Sequence, residues 1–593
     1  MKRVLLLAAV VALAFPASAL AHATLEGTSP QRGAVVKHEP KQVVFRFDEP
    51  VEGNFGAVRV YNSKAERVDQ GDAFHPGGRG PLLGVHLKSG LPKGTYTATY
   101  RVVSADGHIV SSGFVFSIGK AGAAGGTVAQ LLGKSKTGAP TEVAFGAARA
   151  LQYGAIGLAG GLVAFLFLVW LPALRAVAGA GEEWRSASTA FVLRLRRVLL
   201  VVALVGVVSA FAGVVLEGAS AAGVSGWTAL RPHTLDEVLG TRFGTTWTGA
   251  AAAWLGIAVV VPGFLSARSR RGPVLQPASL GATGLAPAPA NRALLAALVV
   301  PIGFLILLPA LSGHGSTQKP TGVVFPANAI HVGAMSLWLG GLAALALVLP
   351  AATRELAPAD RTRLLAGVVL RFSPIALGAV IALLAAALVQ AYVEIRHPSL
   401  IFTTPFGRSA FIKFCLLLAL IGLGALNRQR TLPALKAASE AGDTPGRAGL
   451  VLRRTIRGEL ALLVAALAVT GALASYAPSI AQVSGPYNTT KRIGPEELQM
   501  TVDPARVGSN AIHLYLTDPK SGAQYSRAKE VQVTAKESGK GIGPLDLHAQ
   551  HSGPGHYTVP AATLNVPGTW VLRVVVRVSE FDEFTASAKV PVR

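Results

Sequence analysis

Eight separate stretches of this chain are apolar over about 20 residues each, the length a helix needs to cross the hydrocarbon core of a bilayer. They fall near 145–171, 198–219, 247–266, 293–312, 326–350, 372–393, 409–427 and 458–477. In lipid each such stretch has to satisfy its own backbone hydrogen bonds, which a helix does. Residues 143–480 are therefore expected to form an all-α transmembrane bundle of eight helices. Composition agrees: 51% of residues are hydrophobic and only 15% charged.

The net charge of +24 raises nucleic acid as a partner, and its placement removes it. If the N-terminal segment lies outside, the inner loops carry 20 Lys and Arg and the outer loops 5. That asymmetry is the positive-inside rule, so the basic charge reports topology and the partner is the lipid bilayer. The first 21 residues agree. Lys2-Arg3 precedes an apolar run, Val4 to Phe15, and Ala19-Leu20-Ala21 is a small-x-small cleavage pattern. Cleavage after Ala21 would make His22 the first residue of the mature chain. The protein is expected in the cell membrane, with both terminal domains extracytoplasmic.

Those terminal regions read as β structure. Residues 22–119 alternate in short runs such as 43–47, 57–61, 95–100 and 114–116, separated by Gly, Pro and Asn turns, which predicts an all-β sandwich. Residues 485–593 predict a second one from runs at 511–516, 531–534 and 570–576. Residues 120–142, rich in Gly and Ala, read as a flexible linker. Within the bundle, ALQYGAIGLAGGL in the first apolar stretch resembles AIHVGAMSLWLGGL in the fifth. TRFGTTW before the third resembles TPFGRSA before the seventh. The spacing of four preserves orientation and predicts a duplication of two four-helix halves.

Metal chemistry is limited by the donors present. The one cysteine, Cys415, lies in an apolar run, and the methionines are Met1, Met335 and Met500. Neither a disulfide framework nor a thiolate site is available within one chain. Mature His22 would offer two nitrogens, its α-amine and its imidazole, a chelate suited to Cu(II). SADGHIVSSG adds Asp106 and His108 in a turn before a predicted strand. Spacing alone does not bring these to His22.

A resemblance does. HATLEGTSPQRGAVV, FRFDEPVEGNFGAVRVY and LPKGTYTATYRVVSADGHIVSSGFVFSI, spread over residues 22–119, resemble the CopC family of periplasmic copper proteins. That resemblance implies Cu(II) ligation by His22, through ring and α-amine, with Asp106 and His108. A Met-rich Cu(I) site found in some CopC members is not expected, since 22–119 contains no Met. His38, His75 and His86 match no motif and read as solvated surface.

SGHGSTQ (312–318), AIHVGAMSLWLGGL (329–342) and TTPFGRSAFIKF (403–414) resemble the CopD family of membrane proteins. A titratable group inside a span is costly. His331, with Met335 one turn on and His314 at the end of the fourth span, is thus a candidate copper path for Cu(I) or Cu(II). Lys413 reads as snorkelling to the interface. In the last domain, GPGHYTV and VPGTWVLRVVVR resemble a YtkA-like or FixH-like domain, and His548, His551 and His556 form a candidate accessory metal cluster.

The combined resemblance implies extracytoplasmic Cu(II) binding coupled to copper transport across, or delivery at, the membrane, with uptake favoured over export, and no enzymatic activity. No GxxxxGK[ST] motif or intramembrane Cys-Pro-Cys is present for pumping. Two alternatives remain open at this point: a copper-dependent oxidase or membrane electron carrier, and a chaperone delivering copper to a secreted or membrane cuproenzyme.

Overall fold

The computed structural model describes residues 23–592 apart from 24, 54–56, 106, 108, 121–127, 134–136, 180, 271–288, 477–486, 504, 520–524 and 526. The signal segment 1–21 and His22 lie outside the described residues.

The N-terminal region is a sandwich of eight strands: β1 (Leu25–Ser29), β2 (Val35–Val36), β3 (Gln42–Phe47), β4 (Val51–Glu52), β5 (Val58–Tyr61), β6 (Leu82–His86), β7 (Gly94–Ser104) and β8 (Ile109–Ile118). One sheet is β1-β3-β6. The other is β2-β8-β7-β4, with β5 also paired to β7. Strand alternation supplies the core: Val43, Phe45 and Phe47 point inward from β3, and Tyr96, Ala98 and Tyr100 from β7. The Phe45 ring meets Tyr100 and Phe114 edge-on at 5.3 and 5.4 Å. The stretch expected to be a plain linker is partly helical. Val128–Gly133 forms a short helix with Leu131 buried, and the first membrane helix already begins at Ala139. Gly and Ala composition masked one anchoring leucine.

Among the described residues, eight helices are long and apolar enough to cross a membrane: Ala139–Val177, Glu182–Ala222, Arg242–Gly263, Ala293–Ser312, Thr321–Thr353, Pro358–Glu394, Pro405–Glu440 and Gly446–Leu473. They are spans one to eight below.

The expected internal repeat is visible in their local geometry. Spans one and five each run as α-helix, widen into a π-helical turn at Leu166–Trp170 and Ala344–Val348, and resume as α-helix with a proline, Pro172 or Pro350, as its second residue. The widened turn relieves the clash of each proline ring with the carbonyl four residues earlier. Spans three and seven share a start. The hydroxyls of Thr241 and Thr404 each accept from the amide of Gly244 or Gly407 at 3.0 Å, the capping bond of a helix N-terminus. A side chain at either glycine would overlap the carbonyl of the preceding turn, at Val238 or Leu400.

Spans one and five meet at the glycine pair of the repeated motif. A Cβ on Gly161 would overlap the carbonyl oxygen of Ser336, and one on Gly340 would overlap the backbone of Gly161. Backbones in lipid approach this closely only where side chains are absent, and dispersion between them replaces the missing hydrophobic drive.

The C-terminal region is a second sandwich of nine strands: β9 (Tyr487–Ile493), β10 (Glu496–Asp503), β11 (Gly508–Thr517), β12 (Glu530–Glu537), β13 (Ile542–Leu547), β14 (Gln550–Gly553), β15 (His556–Leu564), β16 (Gly568–Arg577) and β17 (Glu583–Val592). Its sheets are β14-β15-β11-β10-β9 and β13-β12-β16-β17. Trp570, Leu572, Val574 and Val576 face Ile512, Leu514 and Leu516 in the core. The two sandwiches belong to one compact unit, in which Arg32 reaches Asp503 at 3.4 Å and the Thr95 hydroxyl donates to the Ser552 carbonyl.

The Gly161–Gly340 crossing predicts an inverted propensity effect. Alanine is normally the better helix residue by about 1 kcal/mol. Gly340→Ala is nevertheless expected to lower the melting temperature of the full chain in detergent by several degrees, an overpacking cost of about 1–3 kcal/mol. Gly333→Ala, whose added Cβ meets nothing within 4 Å on the same helix, should melt at or above the parent. Equal melting of the two variants would remove the crossing as a constraint.

Candidate metal centre

The end of the N-terminal sandwich that carries the chain start is fixed by register. Leu25 on β1 lies opposite Phe47, the last residue of β3. Four residues later Val51 opens β4 opposite Ser104, the last residue of β7. Leu25 and the β7–β8 turn are thus tied to the same short segment, 48–50, at one end of the sandwich. The turn is tight: Gly107 takes φ +85°, a left-handed conformation open to glycine, and its amide donates to the Ser104 carbonyl at 2.9 Å. Glu49 holds it from below, its carboxylate accepting from the Ala105 amide at 3.3 Å. His22, Asp106 and His108, the residues expected to ligate Cu(II), lie outside the described residues, although this turn contains positions 106 and 108.

His75 and His86 are not plain solvated surface. The His75 Nδ1 contacts the Leu82 carbonyl at 2.6 Å. The His86 Nδ1 pairs with Asp72 at 2.6 Å, and its ring stacks on Phe74 with centroids 4.4 Å apart. Both rings are spent on local structure. His38 is exposed, as expected.

In the helical domain His331 sits ten residues into span five, in its outer third under the expected topology, and its Nδ1 has no hydrogen-bond partner. Met335, one turn on, packs its thioether against span one: a Cβ on Gly157 would lie 2.8 Å from the Met335 Sδ. His314 opens the short 3-10 turn His314–Ser316 after span four. Arg242, at the start of span three, pins that turn by donating to the Leu311 carbonyl at 2.6 Å and to the Ser316 hydroxyl. Lys413 lies eight residues into span seven and is half-buried.

Several other polar groups in the spans, which sequence reading passed over, have polar neighbours, although Trp170 Nε1, Trp247 Nε1 and Asn328 Oδ1 have no hydrogen-bond partner. The Gln152 amide binds the Ser209 hydroxyl at 2.7 Å. Arg149 approaches Glu217 at 3.7 Å, donates to the Ala474 carbonyl at 2.7 Å and lies 3.8 Å over the Phe145 ring. Glu459 accepts from Asn427 at 2.8 Å, and Asn427 in turn accepts from Thr455 at 2.6 Å. In the repeated motif, Gln152 occupies the position of His331.

The C-terminal histidines are not arranged as expected. His548 and His551 are exposed, whereas His556 is fully buried, and no group of three His, Cys, Asp or Glu side chains fit for a metal occurs among the described residues. His551 opposes Tyr557 across β14–β15 and meets its ring edge-on, while His556, one residue earlier, projects to the other face. There its partner is His513 on β11, with the His513 Nδ1 and His556 Nε2 3.4 Å apart. The Tyr515 ring lies on His556, centroids 4.3 Å apart and 4° from parallel. The alternating run Ala511-Ile512-His513-Leu514-Tyr515-Leu516 held the signal: a strand whose second face carries His and Tyr is covered on both sides.

The CopC domain family matches residues 25–119, which include both strands flanking the β7–β8 turn. The N-terminal domain family of copper resistance protein D-like proteins matches 140–324, and the Copper resistance protein D family matches 366–473. The chain is a CopC–CopD fusion. It is 28% identical over 575 residues to the copper transport protein CutJ of Bacillus subtilis (strain 168), covering 96% of this chain and 95% of CutJ. It is 25% identical over 304 residues to Copper resistance protein D of Pseudomonas syringae pv. tomato, covering 51% of this chain and 88% of that protein. Protein YobA of Escherichia coli (strain K12) is 33% identical over 101 residues, 17% of this chain and 82% of YobA. Among solved structures, CopC from Methylosinus trichosporium OB3b covers 16% of the fusion at 28% identity, with 93% of its own chain matched and a TM-score of 0.15. The methionine-rich PcoC of Escherichia coli covers the same share at 25% identity, with 99% of its chain matched and a TM-score of 0.15. His331 and Met335 fall between the two D-type matches.

The buried histidine pair gives this CopC–CopD fusion an acid-sensitive sandwich. Loss of hydration on burial, reinforced by Arg32, pushes His513 down to about 4; burial, with His513 and His551 nearby, pushes His556 below its usual value. The unfolded chain therefore binds more protons than the folded one below about pH 6.5. Stability is complete above that pH and should fall through the interval down to about 4, by up to about 1.4 kcal/mol per pH unit for each ring. Denaturant unfolding followed through Trp570 should show this slope, and His513→Gln should flatten it; a pH-independent midpoint would mean the rings are solvated.

Proposed function

We propose that the chain captures Cu(II) outside the cell membrane with its N-terminal sandwich and passes copper through the helical domain, inward, along His314, His331 and Met335. The observation that carries this reading is the register that ties the chain start and the β7–β8 turn to one segment, 48–50. In this reading a mature N-terminal His22, three residues before Leu25, and the turn that includes positions 106 and 108 would meet at one end of the sandwich and offer three nitrogens and one carboxylate oxygen. That donor set suits tetragonal Cu(II). The CopC match over 25–119 and the likeness to CutJ along 96% of the chain support copper as the ligand.

The helical part of the path is supported by contrast. Arg149, Gln152 and Glu459 have polar neighbours, whereas the His331 Nδ1, like the Asn328 Oδ1 one turn before it, has no partner, and His331 alone of these lies one turn from a thioether. A buried ring nitrogen without a hydrogen-bond partner costs stability unless the ring has another use. Transient ligation of copper is such a use, with the thioether favouring Cu(I).

N-terminal sequencing of the purified protein should begin at His22. His108→Ala and Asp106→Ala should weaken Cu(II) binding, the histidine change more, because it removes one of three nitrogens. A mature chain beginning at Ala23 or later would sink the site. His331→Ala should abolish copper-dependent accumulation in cells while leaving Cu(II) binding intact; unchanged accumulation would return His331 to a structural part.

A further inference from the structure

The His513–His556 pair takes no part in the path above. Both side chains are almost wholly buried, at 2% and 0% exposure, on the face of their sheet turned away from its apolar core. Their ring centroids lie 5.7 Å apart with planes 17° from parallel, and the facing nitrogens are 3.4 Å apart. The difference between these two distances is what two ring radii account for. The rings therefore lie edge to edge, each nitrogen on the line joining them and aimed at the other.

We infer that His513 Nδ1 and His556 Nε2 form a two-nitrogen site for monovalent copper in the C-terminal sandwich, separate from the Cu(II) ligands at the chain start. A hydrogen bond between neutral imidazoles is best near 2.9–3.0 Å, so 3.4 Å is long for one. A metal ion about 2 Å from each nitrogen requires a separation of about 3.4 Å when the site is bent and about 4 Å when it is linear. With both nitrogens on the line between the rings their lone pairs meet at its midpoint, so the pair takes a linear ion once the rings separate by about 0.6 Å.

Charge and donor number select the ion. No third His, Cys, Asp or Glu joins the pair among the described residues, which leaves a tetragonal divalent site short of ligands. The cost of placing an ion in a dry interior rises steeply with its charge, favouring a single positive charge over two. Burial disfavours the charged form of both imidazoles, and ligation takes the tautomers that leave the lone pairs on His513 Nδ1 and His556 Nε2. Tyr515, stacked on His556, fixes the orientation of that ring as an outer partner does at metal sites generally.

The test uses the full chain in detergent with the N-terminal site silenced by His108→Ala, titrated anaerobically with Cu(I) against a chromophoric Cu(I) chelator. X-ray absorption of the loaded chain should show copper with two nitrogen neighbours at about 2 Å and no sulfur. His513→Gln and His556→Gln should each remove one equivalent of Cu(I), while Met335→Leu should leave it. Because a buried substitution can unfold the sandwich, the absorption measurement on otherwise unaltered chain stands as a second criterion. No Cu(I) bound, a sulfur neighbour at the only copper, or full stoichiometry in folded histidine variants would each overturn the site. Loss of Cu(II) capture in the parent would instead strike the N-terminal reading and leave this one standing.

Discussion

The helical domain depends on the crossing of spans one and five, where Gly161 and Gly340 bring two backbones into contact. In lipid there is no hydrophobic force pulling helices together, so close surfaces and matched polar groups have to hold the bundle. The crossing supplies the first. It also sets the depth at which the flanking residues of the repeated motif, Gln152 on one helix and His331 on the other, are carried relative to one another. A larger residue at the crossing would displace both.

Duplication makes that pair of positions informative. Two helices with the same π-turn, the same following proline and the same glycine pair present different groups at one equivalent place. In the first half the group is a glutamine bound to Ser209. In the second it is an imidazole whose Nδ1 has no partner. Where a fold solves the same packing problem twice, a position whose polar atom is satisfied in one copy and not in the other is one where something besides packing can select the residue. Met335 makes the same distinction, since its counterpart in the first half is Ile156.

Much of the fold was legible because each kind of element writes its own period. Apolar runs of about 20 residues marked all eight spans, and alternation at 43–47, 95–100, 511–516 and 570–576 marked strands found in both sandwiches. The repeat was legible from glycines, since these report backbone approach directly. Other features were not. The helix at Val128–Gly133 is too short and too rich in small residues to stand out, and only the burial of Leu131 identifies it. The polar pairs Arg149–Glu217 and Asn427–Glu459 join residues far apart in the chain, which a linear pattern does not record.

The histidines show most clearly where sequence proximity misleads. His548, His551 and His556 are close in the chain, but a strand turns successive side chains to opposite faces, and a hairpin adds its own register. His551 follows Tyr557 to one side and stays exposed, while His556 goes to the other and is buried. Its partner, His513, is 43 residues away on the neighbouring strand, where Tyr515 rather than His513 lies directly opposite it. The ring contact is thus a diagonal one, within reach because β11 and β15 are adjacent and both side chains leave the sheet on the same face. Strand pairing, which fixes which distant residues share a face, decides where such a donor pair forms; clustering along the chain does not.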